Sequence, residues 1–317
     1  MKGIFLDYAT VSNGDIDPSP LSRALDELVL HDVTPADEIA ARVRDAACIL
    51  TNKCRIGAAE MDAAPRLELI ALAATGFNNI DIEAAKARGI AVTNIRAYCT
   101  PAVAQHVFTL MLALNQKLDG YRRLLADGAW KNAPQFTLLD FPFHELNGRT
   151  LGIIGHGELG KAVARIAEAF GMRVMIAERK GQNPRAGRTA FDAVLREADV
   201  ISLHCPLTPE TEKLIDAKAL GAMKRDAILI NTARGALVDE AALADALRAG
   251  EIGGAGIDVL SEEPPVNGNP LLDATIPNLV VTPHVAWAAV EARQRAIQQV
   301  AECIEAFRKG EGRNRVA

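Results

Sequence analysis

Thr150-Leu-Gly-Ile-Ile-Gly-His-Gly-Glu-Leu-Gly160 runs directly into Lys161-Ala-Val-Ala-Arg-Ile-Ala-Glu-Ala-Phe170, and this junction decides the fold. A short apolar run, a G-x-G-x-x-G turn and a helical pattern follow one another without a gap, as a strand feeding a helix in a parallel sheet requires. Each glycine has a separate role: Gly155 makes the tight turn, Gly157 leaves room for a pyrophosphate, and Gly160 lets the helix pack closely on the strand. The helix N-terminus then presents unpaired N–H groups and a partial positive charge to phosphate oxygens. An acid, Glu178, ends the next apolar run 18 residues beyond Gly160, where a carboxylate can accept hydrogen bonds from an adenosine ribose. The turn therefore reads as a dinucleotide-binding turn.

The rhythm of the turn extends in both directions. Downstream, strands are expected at 150–154, 173–177, 200–204, 227–231, 254–259 and 279–282, with helices between them, which makes a doubly wound parallel sheet. Asp239 is placed to cap the helix that begins at Glu240. Upstream, apolar runs at Gly3–Asp7, 47–51, 67–73 and 90–93 alternate with helical patterns at 21–30 and 82–88, a second βαβα series. One long helix is expected from Thr100 to about Ala126, apolar on several faces and therefore buried. Residues 130–144, with two prolines and three phenylalanines, are irregular yet too apolar for a solvated loop. They read as a dimer-forming arm or as a segment folded back on its own domain. A last helix, 288–308, precedes a polar tail.

Composition narrows the function. The 317 residues allow about two domains, and 49% apolar content supplies their cores. With 35 basic against 40 acidic residues and a net charge of −5, a general nucleic-acid partner is not expected. No apolar stretch reaches the ~20 residues needed to span a bilayer, and Met1–Asp7 reads as a strand, so no membrane is expected and a cytoplasmic protein is. The five cysteines form no C-x-x-C pair and no metal-ligand spacing, so no metal is expected and the thiols read as reduced and structural. Cys99 and Cys205 lie near the motifs and could line a cleft.

Three segments add chemistry to the turn: Asn231-Thr-Ala-Arg-Gly, Gly254-Ala-Gly-Ile-Asp through Glu263-Pro-Pro, and Val281-Thr-Pro-His-Val-Ala-Trp. Each places a polar residue just past the carboxyl end of an expected strand, the edge that forms the ligand crevice of an open α/β sheet. Arg234 offers a rigid fork of donors suited to a carboxylate, Glu263 is an acceptor, and His284 can exchange a proton near neutral pH. An acid at Glu178 favours NAD, since its charge repels the 2′-phosphate of NADP. Arg179, Lys180, Arg185 and Arg188 follow at once, however, and either neutralise that phosphate or are solvated surface charges.

With these residues the sequence resembles the D-isomer-specific 2-hydroxyacid dehydrogenase family over nearly its whole length, in subfamily most like the bacterial glycerate dehydrogenases, also called hydroxypyruvate reductases. Leu151–Gly160, His204-Cys-Pro-Leu-Thr-Pro-Glu-Thr, Asn231–Gly235, Asp258–Pro264 and Thr282-Pro-His carry the family resemblance. Thr75-Gly-Phe-Asn-Asn-Ile-Asp and Pro101-Ala-Val-Ala-Gln-His match its substrate loop and interdomain helix, and Pro283-His-Val-Ala-Trp with Asp140-Phe-Pro-Phe-His-Glu-Leu points to the subfamily. The resemblance implies an α/β protein of two Rossmann-like doubly wound parallel-sheet domains with an interdomain cleft: a flavodoxin-like substrate domain, 1–98 plus 285–317, and an NAD(P)-binding domain, 99–284. It also implies a homodimer.

It further implies reduction of a small 2-oxo acid, hydroxypyruvate or glyoxylate favoured, to the D-2-hydroxy acid, with hydride from the nicotinamide and a proton from His284. Arg234 and the backbone N–H groups of Thr75, Gly76 and Phe77 would hold the carboxylate, and Glu263 would hold the imidazole and favour its protonated form. The cofactor would contact Gly155, Gly157, Glu158, Leu159 and Gly160, Glu178, Cys205, Pro206, Thr211, Thr232 and Ala233, with Asp258 on the nicotinamide carboxamide. His156, Leu260 and Val285-Ala-Trp depart from the commonest family pattern, and Trp287 would wall the pocket. Lys53 and Asn52 face the cleft or serve the surface. Two other readings stay open: a dinucleotide-sensing protein like the family's corepressors, and a dehydrogenase for another substrate. Glu263 argues against formate, whose dehydrogenases resemble this family but carry Gln there.

Overall fold

The computed structural model describes residues 1–317 and divides into two units, Met1–Cys99 with Trp287–Ala317, and Thr100–Ala286. In the first unit β1 (Lys2–Phe5), β2 (Glu27–Leu30), β3 (Cys48–Thr51), β4 (Leu69–Leu72) and β5 (Ala91–Thr93) form a parallel sheet in the order β2-β1-β3-β4-β5, the flavodoxin-like order. Side chains alternate across it. Phe5, Leu50, Leu69 and Ala71 face α1 (Ser19–Ala24) and the C-terminal helix α11 (Val290–Arg308), whose Ile297, Val300 and Ile304 join the same core. Ile4, Ile49, Ile70 and Val92 face the other side, with Ile39 of α2 (Ile39–Arg42), Met61 of α3 (Ala58–Asp62) and Ala85 of α4 (Ile82–Ala87). Coverage on both faces explains why β3 and β4 are buried at every position.

Two expectations change here. The run 21–30 is not one helix: it ends at Ala24, and Glu27–Leu30 pairs in parallel with β1 as an edge strand. Two residues separate the helix from a Val- and Leu-bearing stretch that gains ladder hydrogen bonds, which a continued helix would forgo. The tail is not merely polar either. Val316 N–H donates to the Val92 carbonyl at 2.8 Å, so the chain end covers the β5 edge.

In the second unit β6 (Thr150–Ile154), β7 (Arg173–Ile176), β8 (Val200–Leu203), β9 (Ile228–Asn231), β10 (Gly254–Ile257) and β11 (Leu279–Val281) form an all-parallel sheet ordered β11-β10-β9-β8-β6-β7. The buried faces of α5 (Thr100–Asn115) and α7 (Glu158–Ala169) cover one side, around Val107, Leu110, Met111, Leu151, Ile153 and Val163. α8 (Phe191–Glu197), α9 (Ala217–Gly221) and α10 (Glu240–Ala249) cover the other, around Val194, Leu203, Leu220, Leu229, Leu243 and Leu247. Asp239 caps α10, its carboxylate accepting from Ala242 N–H. After β6 the chain builds β7 on one side and then β8 on the other, so the strand order reverses between β6 and β8, where a ligand crevice opens at the carboxyl ends.

The long helix expected from Thr100 is two helices. It breaks at Lys117, whose backbone is left-handed (φ 53°), before α6 (Leu118–Ala126). Tyr121 of α6 takes the Phe141 ring edge-on at 5.2 Å, and Trp130 Nε1 donates to the Phe136 carbonyl. The irregular arm thus folds partly on itself, while Phe136 and Leu139 remain 88% and 80% exposed.

Candidate active site

The β6–α7 turn shows the three glycine roles in its geometry. Gly155 has φ +97°, and a Cβ there would lie 2.4 Å from the Cys205 backbone nitrogen, so only glycine lets β6 pass the end of β8. A Cβ on Gly160 would lie 2.2 Å from the Gly155 carbonyl oxygen, whereas beside Gly157 there is open space. That open space lies at the start of α7, where unpaired N–H groups face outward. Nearby strand ends carry buried polar atoms with no protein partner, His204 Nδ1 after β8 and Thr232 Oγ1 after β9. Orphaned polar atoms at the carboxyl edge suit a polar ligand, and a dinucleotide fits these features. Burial pushes the His204 pKa down to about 4, so that ring is neutral, its Nε2 bonded to Ser202 Oγ. Glu158 opens α7 paired with Thr100 Oγ1. Thr211 Oγ1 bonds the Pro206 carbonyl and receives Thr208 N–H, closing that turn on itself. Leu159, partly buried, follows Glu158, and Ala233 N–H donates to Asn231 Oδ1.

Glu178, just past the end of β7, is bonded within the chain. It is 2% exposed, and its two oxygens accept from Arg179 N–H, Arg185 N–H, Arg185 Nε and Arg185 Nη2 at 2.7–3.2 Å. Those four bonds use the roughly four acceptor sites a carboxylate has. The Arg185 guanidinium, helped by the two backbone N–H groups, pulls the Glu178 pKa down to about 2. Because folding lowers that pKa, the pair stabilises the protein above about 4.5, and the contribution is lost as pH falls toward 2. Lys180 is likewise engaged, with Asp216 and over the Phe191 ring. Arg188 donates to the Ala177 carbonyl.

The chemical residues converge on one edge of the same unit. His284 Nδ1 meets Glu263 Oε2 at 2.6 Å, and Glu263 Oε1 accepts Leu260 N–H at 2.8 Å. The backbone of His284 is left-handed (φ 55°), a conformation that costs a non-glycine residue about 1–3 kcal/mol and persists only where its surroundings enforce it. Arg234 stands on the loop after β9, bracketed by Asn231, whose Nδ2 donates to the Arg234 carbonyl at 2.8 Å. Its guanidinium is exposed, donates through Nη1 to the Ala233 carbonyl, and forms no ion pair. Gly235 brings that loop against the loop bearing Glu263: a Cβ there would lie 1.9 Å from the Leu260 carbonyl carbon.

Asp258 is 1% exposed and accepts Thr282 Oγ1–H at 2.5 Å, Val285 N–H at 3.0 Å and Ala286 N–H at 2.9 Å. Burial opposes its ionisation, but bonds from His106, Thr282, Ala286 and Val285 outweigh that, and its pKa is lowered. Asp258 holds the His284 loop. Thr282 and His106 were visible in the sequence as motif letters without a role, because nothing local shows that helix α5 meets the end of β11.

In the first unit, Thr75, Gly76 and Phe77 lie on the loop after β4. Their backbone N–H groups donate to nothing within the chain, and the Thr75 carbonyl accepts Asn94 Nδ2. Asp7 gathers the Asn52, Lys53 and Cys54 N–H groups at 2.6–3.0 Å, and Asn52 Nδ2 donates to Thr10. Asn52 is therefore structural, while Lys53 is exposed. Trp287, expected to wall the pocket, takes Tyr98 edge-on at 6.3 Å and packs against the core of that unit. Burial pushes the thiols of Cys48, Cys54, Cys205 and Cys303 up, away from thiolate chemistry.

A glycine turn at a switch point, joined on one sheet edge by an acid-supported imidazole and an unpaired guanidinium, defines the class: a dinucleotide-dependent oxidoreductase. The family described as D-isomer specific 2-hydroxyacid dehydrogenase, NAD binding domain, matches residues 108–286. The glycerate dehydrogenase of Methylorubrum extorquens is 48% identical over 278 residues, 88% of each chain. A crystal structure from Thermus thermophilus superposes with a TM-score of 0.87 at 38% identity, covering 100% of both chains. The NADPH-dependent glyoxylate/hydroxypyruvate reductase of Sinorhizobium meliloti, solved with NADP and malonate, gives 0.81 at 34% identity over 100% of this chain and 96% of the other. The chain belongs to the D-isomer specific 2-hydroxyacid dehydrogenase family.

Proposed function

We propose that this chain reduces a small 2-oxo acid, hydroxypyruvate or glyoxylate favoured, to the D-2-hydroxy acid. The observation that carries the reading is the 2.6 Å bond between His284 Nδ1 and Glu263 on the edge that also presents an unpaired Arg234. Bound NAD(P)H supplies the hydride. Arg234 anchors the substrate carboxylate and stabilises charge developing on the ketone oxygen. The N–H groups of Thr75, Gly76 and Phe77 are the proposed second anchor. Glu263 accepts the Nδ1–H of His284, so the imidazolium passes its Nε2 proton to the oxygen and is left as the neutral Nδ1–H tautomer.

The test is oxidation of NADH and NADPH, followed by the near-ultraviolet absorbance of the reduced nicotinamide, with hydroxypyruvate, glyoxylate and other 2-oxo acids. Turnover supports the reading; dinucleotide binding without turnover on any of them sinks it in favour of a dinucleotide sensor. Arg234→Lys is expected to lower kcat/KM by about 10²-fold, since a point charge replaces a planar fork; a loss below threefold would remove Arg234 as the carboxylate anchor.

For the cofactor, NAD is the proposed choice with NADP accepted, because Glu178 can repel a 2′-phosphate only when it turns from Arg185. Arg185→Ala is accordingly expected to raise the NADH over NADPH ratio of kcat/KM by about tenfold, the worth of one released charge near a phosphate in partly screened surroundings. An unchanged ratio would show that Glu178 has no part in the choice.

A homodimer is proposed from the exposed apolar side chains of α6 and the arm, Leu118, Leu125, Trp130, Phe136, Leu139 and Phe143, a density that single soluble chains seldom leave uncovered. Light scattering should give twice the chain mass, and Phe136→Asp with Leu139→Asp should give the single mass. A cytoplasmic setting suits the reduced thiols of Cys48, Cys54, Cys205 and Cys303.

A further inference from the structure

We propose that His106, on α5 and outside the reacting groups, is a positioning residue that sets the catalytic geometry of His284 through Thr282 and Asp258. The three side chains form one line of bonds. His106 Nε2 lies 2.9 Å from Thr282 Oγ1, and Thr282 Oγ1 lies 2.5 Å from Asp258 Oδ1, itself 3.4 Å from His106 Nε2.

The proton positions follow from what each group can do. An ionised, 1% exposed Asp258 only accepts, so the single proton of the Thr282 hydroxyl points to it. The hydroxyl oxygen can then only accept from the other side, which requires a proton on His106 Nε2. One donor, His106 Nε2–H, thus reaches Thr282 and Asp258 from a helix that is packed there: Val107, Leu110 and Met111, flanking His106 on the inward face of α5, are buried in the core.

Asp258 passes this constraint to the acid. Its carboxylate holds Val285 N–H and Ala286 N–H, its carbonyl accepts His284 N–H at 2.8 Å, and so it grips all three residues at the bend. The left-handed backbone of His284 would relax toward an extended form without such a grip, and its ring would leave Glu263. Removing the His106 donor leaves the Thr282 oxygen short of one partner and weakens the charge-assisted bonds around Asp258.

The test uses His106→Leu, His106→Gln, Thr282→Val and the His106→Leu/Thr282→Val pair in the full chain. His106→Leu is expected to lower kcat about tenfold, the change that corresponds to losing one hydrogen bond to a charged group, with KM for the dinucleotide altered less than about twofold. Gln carries an N–H at similar reach, so His106→Gln should recover most of the loss. If the line is one unit, the double variant should be no slower than Thr282→Val alone. Hydrogen exchange of the Val285 and Ala286 amides, measured without dinucleotide, should quicken about tenfold in His106→Leu and return in His106→Gln.

Wild-type kcat and unchanged exchange in His106→Leu would overturn the proposal, as would additive losses in the double variant or no recovery with Gln. The kinetic arm rests on His284 being the acid. The exchange arm does not, so failure of the loop constraint and failure of the proposed reaction are distinguishable. Thr282→Val, nearly isosteric, keeps the exchange test available if His106→Leu does not fold.

Discussion

His284→Ala is expected to lower kcat for ketone reduction by about 10² to 10⁴, the range for losing a positioned general acid. The chemistry of the site gives the reason. Transfer of a hydride to a ketone leaves charge on oxygen, and the proposed source of the proton is the imidazole that Glu263 supports. Alanine also removes the ring that Glu263 accepts from, so a carboxylate that had been shared becomes an added negative charge beside the substrate anion. Dinucleotide affinity, measured by fluorescence of the bound reduced form, should change little, because the turn at Gly155–Gly160 and the strand ends after β8 and β9 are untouched. A variant that keeps full turnover would remove His284 from the reaction.

Gly235→Ala is expected to cost about 3 kcal/mol or more of stability, lowering Tm by roughly 6–12 °C for a unit of this size. The added methyl would sit 1.9 Å from the Leu260 carbonyl carbon and 2.3 Å from both the Leu260 oxygen and the Ser261 nitrogen. All three are backbone atoms of one loop, so no rotamer change relieves the overlap and one loop must move. Either movement separates Arg234 from Glu263, and a displacement of about 1 Å at such groups is enough for a 10²-fold loss of rate. Circular dichroism on heating gives the first number and steady-state kinetics the second. A variant with wild-type Tm and kcat would show that the two loops are not locked together.

Much of this was legible before any coordinates. The glycine turn named its three roles from spacing, because a strand, a tight turn and a helix start are local events fixed by a few adjacent residues. The alternation of apolar runs fixed the parallel strands within a residue or two, since buried strands in a parallel sheet have no polar face to confuse the pattern. Where local signals compete, the reading failed. Residues 21–30 look helical until the β1 edge offers ladder bonds, and Lys117 breaks a helix whose composition would have continued it.

The sequence by itself determined the fold class, the place of the turn, and that Arg234, Glu263 and His284 each follow a strand, because these depend on residues near one another in the chain. Only the tertiary structure decided which way the charged side chains turn: that Glu178 is spent on Arg185, that Asp258 grips the bend at His284, and that His106 reaches Thr282 across 176 positions. Those partners are selected by donor and acceptor demand between segments that meet only after packing, and no local pattern records that demand.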